Sequence, residues 1–402
     1  MMKKKLVICG GGNSAHTLIP LLRDSVFETS IYTSRPEKWH NIIELEWHNP
    51  AGEVMGRYSG PLKEASNDAQ MLFPHADYIV FCMPVHQYRV ALHKIAPYIN
   101  KNKKVFVGTL YGQGGWNWMV NEIRKEYDLP NIVAFSFGLI PWVSREVEYG
   151  HKGLTYGCMS ENYAAVHPKQ YFKQIDEEFF EQICFRWFGK GKVEQSDNFL
   201  SLTLSVDNQI IHTARCYAMH KVYGRTWLNK EDVPWFYRDF DDVSASLMGE
   251  LDSDYSKIRN TIKLKYPDKN FKHMLDYLTL EYFSHKYWSK DIKDSILSSQ
   301  TLHSITTPIV QNANGLWEIP HDHRFFMDDI YYGNCIAKWI AEQLGIETTT
   351  IDEILHWAQT VRQEKIIDNN NHLLLDSPDL NSPLKSGLPC YYGMKSIDDI
   401  ID

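Results

Sequence analysis

The chain opens with Leu6-Val7-Ile8-Cys9-Gly10-Gly11-Gly12-Asn13-Ser14-Ala15-His16-Thr17-Leu18-Ile19-Pro20-Leu21-Leu22, an apolar run, a glycine turn and a second apolar stretch of different period. Leu6 to Cys9 is short and wholly apolar, the pattern of a strand buried on both faces. Ala15, Leu18, Ile19 and Leu22 recur at spacings of three and four, the pattern of a helix. A GxGxxA turn is common by itself, and a structural strand-turn-helix without a ligand is its plain alternative. Its place between a first strand and an amphipathic helix makes it a Rossmann dinucleotide-binding fingerprint. Gly10 permits the tight turn, Gly12 lets the backbone approach a pyrophosphate, and Ala15 lets helix and strand pack closely. Gly11, Asn13 and Ser14 complete a rim of backbone N–H groups at the positive end of a helix, which suits phosphate.

About twenty residues past such a turn, the second strand usually ends in Asp or Glu, which binds the ribose 2′-hydroxyl of NAD. Here that place holds Thr33-Ser34-Arg35. A hydroxyl and a guanidinium can bind a 2′-phosphate, and no carboxylate repels it, so NADP is expected in preference to NAD. Pro84, just past the apolar run Tyr78 to Met83, is placed with the cofactor-binding residues.

Working outward, Thr29 to Thr33, Tyr78 to Met83, Val105 to Thr109 and Ile132 to Phe137 are further apolar runs that alternate with helical patterns. They predict a mostly parallel, helix-covered sheet. Glu44 to Tyr58, centred on Asn49-Pro50-Ala51-Gly52, reads as an inserted hairpin. Short strands are expected after Pro141, with a final one at Lys192 to Gln195. From about Asp197 the spacing becomes helical, with helices expected at Phe199 to Tyr217, Asp241 to Lys265, Phe271 to Trp288, Met327 to Leu344 and Thr350 to Ile366. Ser253-Asp254 and Asp328-Asp329 are expected near helix starts, Gly345 at a helix end, and Asp368 to Leu388 as a surface loop. The expected fold is therefore α/β, with a Rossmann domain at 1–196 and an all-helical domain at 197–402.

The 402 residues are 44% hydrophobic and 23% charged, with a net charge of −8 and no basic block. That gives no phosphate track for nucleic acid and no attraction to an anionic membrane, so small-molecule partners are expected. The lysine-rich start runs straight into glycines rather than into a signal-peptide apolar core, and nothing approaches the ~18 consecutive apolar residues of a membrane helix. Seven cysteines without a CxxC pair suggest reduced thiols and a cytoplasmic protein, with no structural zinc. The aromatic content leaves a homodimer open.

Two clusters suggest chemistry. His212 follows Asp207-Asn208-Gln209, a polar interruption inside an apolar helix at the domain junction, where ligands of two-domain dehydrogenases lie. Arg324 and Asp329 stand five apart in His323-Arg324-Phe325-Phe326-Met327-Asp328-Asp329. Arg324 could hold a carboxylate by two parallel hydrogen bonds, and Asp329 could orient the His212 imidazole. From spacing alone, a solvated charge cluster capping the next helix is the better reading. His321 and His323 lack the partner set of a metal site, and no metal is expected.

These segments, in order, resemble the opine dehydrogenase family. The likeness runs through Cys9 to Leu18, Gly138 to Arg145, Ile211-His212, Asp232-Val233-Pro234 with the aromatic run after it, Arg324 to Gly333 and Ile351 to Ile354. The resemblance implies a nicotinamide-dependent enzyme that condenses an amino acid's amine with a 2-oxo acid such as pyruvate and reduces the imine. It further implies His212 as general acid/base, Asp329 as its carboxylate partner, Arg324 as the cation for the substrate carboxylate, and Gln113 and Ser144 in the oxo-acid pocket. Ser34-Arg35 departs from the uncharged pair of octopine-type members and is nearer the NADPH-using bacterial ones. Ser144, where those members carry cysteine, and the helix around Val206 depart as well. A hydroxyacid dehydrogenase of similar build and a non-catalytic NADP sensor are the alternatives; the first usually relies on a lysine, and the second has no use for the His212, Arg324, Asp329 set.

Overall fold

Strands that are apolar on both faces must be covered on both faces, and the computed structural model, which describes residues 3–401, shows how. The strands are β1 (Lys4–Cys9), β2 (Phe27–Tyr32), β3 (Ile42–His48), β4 (Val54–Pro61), β5 (Glu64–Ser66), β6 (Tyr78–Phe81), β7 (Val105–Thr109), β8 (Ile132–Phe137), β9 (Trp142–Glu148), β10 (Lys152–Cys158), β11 (Glu161–His167) and β12 (Lys192–Ser196). The main sheet has the order β12-β11-β8-β7-β6-β1-β2-β5. Every pair from β5 to β8 is parallel, while β11 runs antiparallel to β8 and carries β12 parallel to itself. The order reverses between β1 and β6, the place where an open α/β sheet leaves a crevice beyond its strand ends.

The inserted hairpin is there as β3 and β4, but it joins a second sheet, β4-β3-β10-β9. This sheet covers helix α1 (Asn13–Leu21), which packs against all four of its strands. Ala15 to Leu21 are consequently all buried, so the helix is enclosed nearly all round, the polar His16 and Thr17 included. One core cluster runs from Leu6 and Ile8 through Ala15, Leu18 and Ile19 to Ile43, Leu45 and Trp142.

The chain divides into two compact units. One holds Met1–Gly112, Trp116–Leu202 and Phe283–His285; the other holds Gln113–Gly115, Thr203–Tyr282 and Lys286–Asp402. The second unit is built on α2 (Asn208–Tyr223), α3 (Asp242–Lys265), α4 (Tyr277–His285, its end in the first unit), α5 (Arg324–Met327), α6 (Cys335–Leu344) and α7 (Thr349–Arg362), with one two-stranded ribbon, Val310–Gln311 against Trp317–Glu318.

Several helical expectations need correction. The helix expected from Phe199 to Tyr217 is broken: Phe199–Leu204 ends, and α2 begins at Asn208 with the Asp207 side chain accepting from the Asn208 N–H at 2.6 Å. Phe271 to Trp288 shortens to α4, because Asp276 caps it through the Thr279 N–H. Met327 to Leu344 is composite: α5, a wide turn at Ile330–Asn334, then α6, ended by Gly345 at φ 64°. Ser253-Asp254 lies inside α3, not at its start, and the Asp254 carboxylate caps another helix, accepting from Thr350 and Ile351 N–H at the start of α7. The tail at 368–388 is not simply a surface loop, since Leu380, Ser386 and Leu388 are fully buried.

The close approach of the second sheet to α1 needs glycine at β4. A Cβ on Gly60 would stand 2.6 Å from the Ile19 carbonyl oxygen and 2.7 Å from Pro20 Cα, both backbone. Gly60→Ala should therefore lower stability by about 1–3 kcal/mol, the usual cost of overpacking. Denaturant unfolding checks this, and a loss below about 0.5 kcal/mol, typical of an unconstrained surface site, would contradict it.

Candidate active site

The first unit carries the glycine turn. Gly10 sits at φ 98°, and a Cβ there would meet the Cys82 carbonyl oxygen at 2.7 Å, so the turn requires glycine on both grounds. Gly11 is also enclosed, by Tyr149, Trp39 and Thr33. Gly12 differs. Its φ is −84°, it is exposed, and the nearest atom to an added Cβ is 3.8 Å away. The fold does not demand glycine at position 12, but a pyrophosphate laid against the α1 N-terminus would. Asn13 and Ser14 begin α1, Asn13 accepting through its side-chain oxygen from the Glu146 N–H at 2.9 Å, and Ala15 is buried.

His16, one turn into α1, fixes this rim. Its Nε2 accepts from the Gly150 N–H at 2.7 Å, so its Nδ1 carries the proton and donates to the Gly12 carbonyl at 2.9 Å. Burial pushes its pKa below the ordinary value, which keeps this neutral tautomer in place. The sequence reading gave His16 no role. The signal available was a histidine inside an otherwise apolar helix, whose ring must find partners.

Thr33 follows the end of β2, buried, with its hydroxyl 3.3 Å from the Tyr149 hydroxyl; Ser34 and Arg35 are exposed beyond it. The Arg35 guanidinium lies 3.8 Å from the centre of the Tyr149 ring. Stacking holds the cation at the end of β2 while leaving its N–H fork open. Pro84 follows β6 and precedes a short turn at Val85–Gln87, and the neighbouring Cys82 and Met83 press on Gly10. Ser144 belongs to this unit too: on β9, it accepts a hydrogen bond from the Thr17 hydroxyl of α1 at 2.9 Å.

The second unit brings His212, Asp329 and Arg324 together. His212, on the second turn of α2, has its Nδ1 2.8 Å from an Asp329 carboxylate oxygen, and the two side chains are only 1% and 4% exposed. Arg324 and Asp329 are five apart, and five residues advance an α-helix by about 1.4 turns, which would leave them on different faces. The chain solves this by widening: Asp329 N–H reaches back to the Arg324 carbonyl and Asn334 N–H to the Asp329 carbonyl, both spans of five residues. Gly333 permits the widened turn to lie on α2, since a Cβ there would stand 2.7 Å from Gln209.

Burial, followed by the positive charge of Arg324, holds His212 well below the ordinary histidine range. Burial also pushes Asp329 up, with Arg324 opposing. For this coupled pair we stand behind the depressed imidazole: Asp329 beside Arg324 is the anion, and the Nδ1–H donates to it. Phe325 packs on the imidazole with ring centres 4.0 Å apart. Arg324 itself is exposed, and among the described residues its guanidinium has no hydrogen-bond acceptor and no ion pair; it only lies over the Phe325 ring.

One site residue went unread in the sequence. The Tyr237 hydroxyl lies 3.0 Å from His212 Nε2. Arg215, one helical turn beyond His212 and fully buried, bonds the Trp235, Phe236 and Asp239 carbonyls and the Asp241 carboxylate, and so shapes the loop that presents Tyr237. Gln113 stands in the glycine-rich turn after β7, fully buried, and its side-chain amide donates to the Ser205 carbonyl at 3.3 Å.

Other features lie apart from this constellation. A cavity of about 1140 Å³ in the second unit is bordered by Lys338, Glu342, Asp352, Glu353 and His356, and none of the expected site residues lines it. Two groups of three donors come within 4.8 Å of one another, His40-Glu148-His151 and His93-Glu122-Glu126; in the latter, Arg89 already grips Glu122 with two hydrogen bonds. No helix among the described residues is long and apolar enough to cross a membrane.

Comparison with known proteins finds relatives in sequence and in fold. Residues 195–362 match the family described as NAD/NADP octopine/nopaline dehydrogenase, alpha-helical domain. An opine dehydrogenase of Haliotis discus hannai is 25% identical over 430 aligned positions, covering 100% of each chain. The solved structure of octopine dehydrogenase with NADH and L-arginine shares the fold at TM-score 0.80, with 19% identity over 99% of this chain and 98% of the other. Yersinopine dehydrogenase with NADP+ bound gives TM-score 0.64, with 12% identity over 90% and 91%.

The contrast between the two glycines is testable. Gly12→Ala should lower stability by no more than about 1 kcal/mol, the loss of a preferred N-cap residue, which is a couple of degrees in a chain of this size, and weaken NADP(H) or NAD(H) binding by about tenfold or more, a loss of roughly 1.4 kcal/mol. Gly10→Ala should destabilise the fold itself. Fluorescence titration of the bound nucleotide and a thermal melt separate the two, and unchanged nucleotide affinity in Gly12→Ala would refute the cradle.

Proposed function

We propose that the chain is an NAD(P)-dependent oxidoreductase of the opine dehydrogenase family, which its match to the family's alpha-helical domain and its full-length relatives support, and that it condenses an amino acid's amine with a 2-oxo acid of the pyruvate type and reduces the imine to an N-(carboxyalkyl) amino acid, reversibly. The observation that carries this reading is Arg324, an exposed guanidinium with no acceptor among the described residues, beside a buried histidine-carboxylate pair. A structural charge cluster would pair its cation internally. An unpaired guanidinium suits a substrate carboxylate, which it can grip by two parallel hydrogen bonds.

In this reading the first unit holds the dinucleotide on Gly10, Gly11, Gly12, Asn13, Ser14 and Ala15, with Thr33, Ser34, Arg35 and Pro84 contributing. When bound there, the nicotinamide supplies the hydride. The second unit supplies the acid/base work. Imine formation needs an unprotonated amine, and neutral His212 takes the ammonium proton; the resulting imidazolium is stabilised through Nδ1–H by Asp329. Arg324 fixes the carboxylate of the oxo acid so that one face of the imine is presented. Gln113 and Ser144 are assigned to the oxo-acid end. The absence of a carboxylate at the end of β2, with Arg35 stacked on Tyr149 in its place, favours NADP over NAD. Seven free cysteines, six of them buried, fit a reducing compartment such as the cytoplasm.

The deciding assay follows NADPH, and separately NADH, with pyruvate alone and with pyruvate plus each member of a panel of amino acids. Oxidation that requires both organic partners, faster with NADPH, is expected. Oxidation with the oxo acid alone identifies a hydroxyacid dehydrogenase, and thermal stabilisation by NADP+ without turnover identifies a sensor.

His212→Ala should lower turnover by roughly 100-fold or more while nucleotide binding stays intact; near-normal turnover would overturn the assignment. The pH dependence carries a sign. The base form is neutral imidazole, present above its pKa, and that pKa is depressed. The acid limb of kcat/KM for condensation should therefore fall below the ordinary histidine value of about 6.5, and a limb above that value would contradict it.

A further inference from the structure

A base must accept its proton at an atom, and the environment of His212 leaves one choice. Nδ1 is committed to Asp329, whose carboxylate only accepts, so Nδ1 carries a hydrogen and Nε2 holds the lone pair. Nε2 in turn faces the Tyr237 hydroxyl at 3.0 Å, which donates to it. The imidazole is sealed by Phe325 and Phe236, with ring centres 4.0 and 5.7 Å from its own. His212 keeps 0% of its surface accessible, whereas Tyr237 keeps 6%. With the Tyr237 hydroxyl standing at Nε2, the lone pair of the buried imidazole is reached through the tyrosine oxygen.

We propose that Tyr237 is a catalytic residue whose hydroxyl relays the proton between the substrate nitrogen and Nε2 of His212. The proposal rests on His212 being the acid/base of the proposed reaction. In the step, an N–H bond of the substrate ammonium breaks and its proton forms a new O–H bond on Tyr237. The O–H bond already aimed at Nε2 breaks, and its proton forms an N–H bond on His212. The ammonium becomes an amine, the imidazole becomes imidazolium beside Asp329, and the tyrosine ends as it began, with no electrons transferred. Run in the other direction, the same two transfers deliver the proton from His212 through Tyr237 to the carbinolamine hydroxyl, which leaves as water and leaves the protonated imine that accepts the hydride.

The loop that holds Tyr237 is built for one orientation. Arg215 binds three carbonyls of the 235–239 segment, and the Thr307 hydroxyl donates to the Pro234 carbonyl at 2.6 Å. Phe236 packs edge-on against the tyrosine with ring centres 5.0 Å apart. These contacts involve the ring and the backbone rather than the hydroxyl, so removing the hydroxyl leaves them in place.

Tyr237→Phe in the full-length enzyme tests the relay, with NADPH oxidation in the presence of pyruvate and the best amino acid of the panel as readout. Expected are a fall in kcat of about 100-fold, unchanged nucleotide affinity and melting temperature, and a proton inventory in mixed light and heavy water that is bowed in the unsubstituted enzyme. A Tyr237→Phe enzyme within threefold of normal turnover overturns the relay. If His212→Ala is inactive while Tyr237→Phe is active, the acid/base reading stands and the relay alone falls; if His212→Ala is itself active, the underlying reading fails. Should Tyr237→Phe melt early, a ring-fluorinated tyrosine placed at position 237 decides instead. It keeps the shape and acidifies the hydroxyl, so a kcat/KM pH profile that shifts supports the relay, and one that does not move overturns it.

Discussion

The first unit depends on covering one helix on every side. A helix whose N-terminus is free to meet phosphate must be held rigidly along the rest of its length, and α1 achieves this by burying all of Ala15 to Leu21 under a second sheet. So close a cover leaves little space between helix and strand. Gly60 and Gly153 make room where β4 and β10 press on the helix, and a Cβ at 153 would collide with His16 itself. The polar side chains that remain inside are tolerable only because they are paired: His16 with Gly12 and Gly150, Thr17 with Ser144.

The second unit places its chemistry by departing from regular helix twice. Ahead of α2 the backbone leaves the helix for three residues, and the loosened groups are caught one by one. Arg259 bonds the Leu204 carbonyl, Gln113 bonds the Ser205 carbonyl, the Ser205 hydroxyl bonds the His273 carbonyl, and Asp207 caps α2. The restart sets the phase of α2, and with it the direction of His212. The widened turn at Ile330–Asn334 then sets Arg324 and Asp329 on a common side. Such widened turns cost regular hydrogen bonding and persist where they place a side chain usefully.

What could be read from the sequence divides along the same physical line. β1, β7 and β8 were visible because a short apolar run bounded by turns suits a buried strand and little else, and the hairpin around Asn49 to Gly52 was visible through its turn residues. Its destination was not, because pairing of β3 with β10 is set by residues more than a hundred positions away. The break at Ser205 to Asp207 looked like a polar pair inside one helix, since periodicity averages over a single irregular turn. Asp254 looked like a cap for its own helix and proved to be a cap for α7, which only packing could reveal. His212, Arg324 and Asp329 were found through resemblance more than through spacing, because five-residue separation matches no helical template. Tyr237 lay in the aromatic run after Pro234 with nothing to single it out from its neighbours, and the loop that aims it is shaped by an arginine 22 positions earlier.

The long reach of β3 to β10 also fixes an order of events. Thr155 pairs with Trp47, so the sheet over α1 cannot close before the chain has been made through β10. Until then the helix that begins the nucleotide site displays an apolar surface on the side meant for that sheet, and Ile43 and Leu45 wait beside it. Non-local pairing of this kind forms slowly. During synthesis, then, the earliest helix of the chain waits for one of the later strands of its unit before its apolar surface is covered.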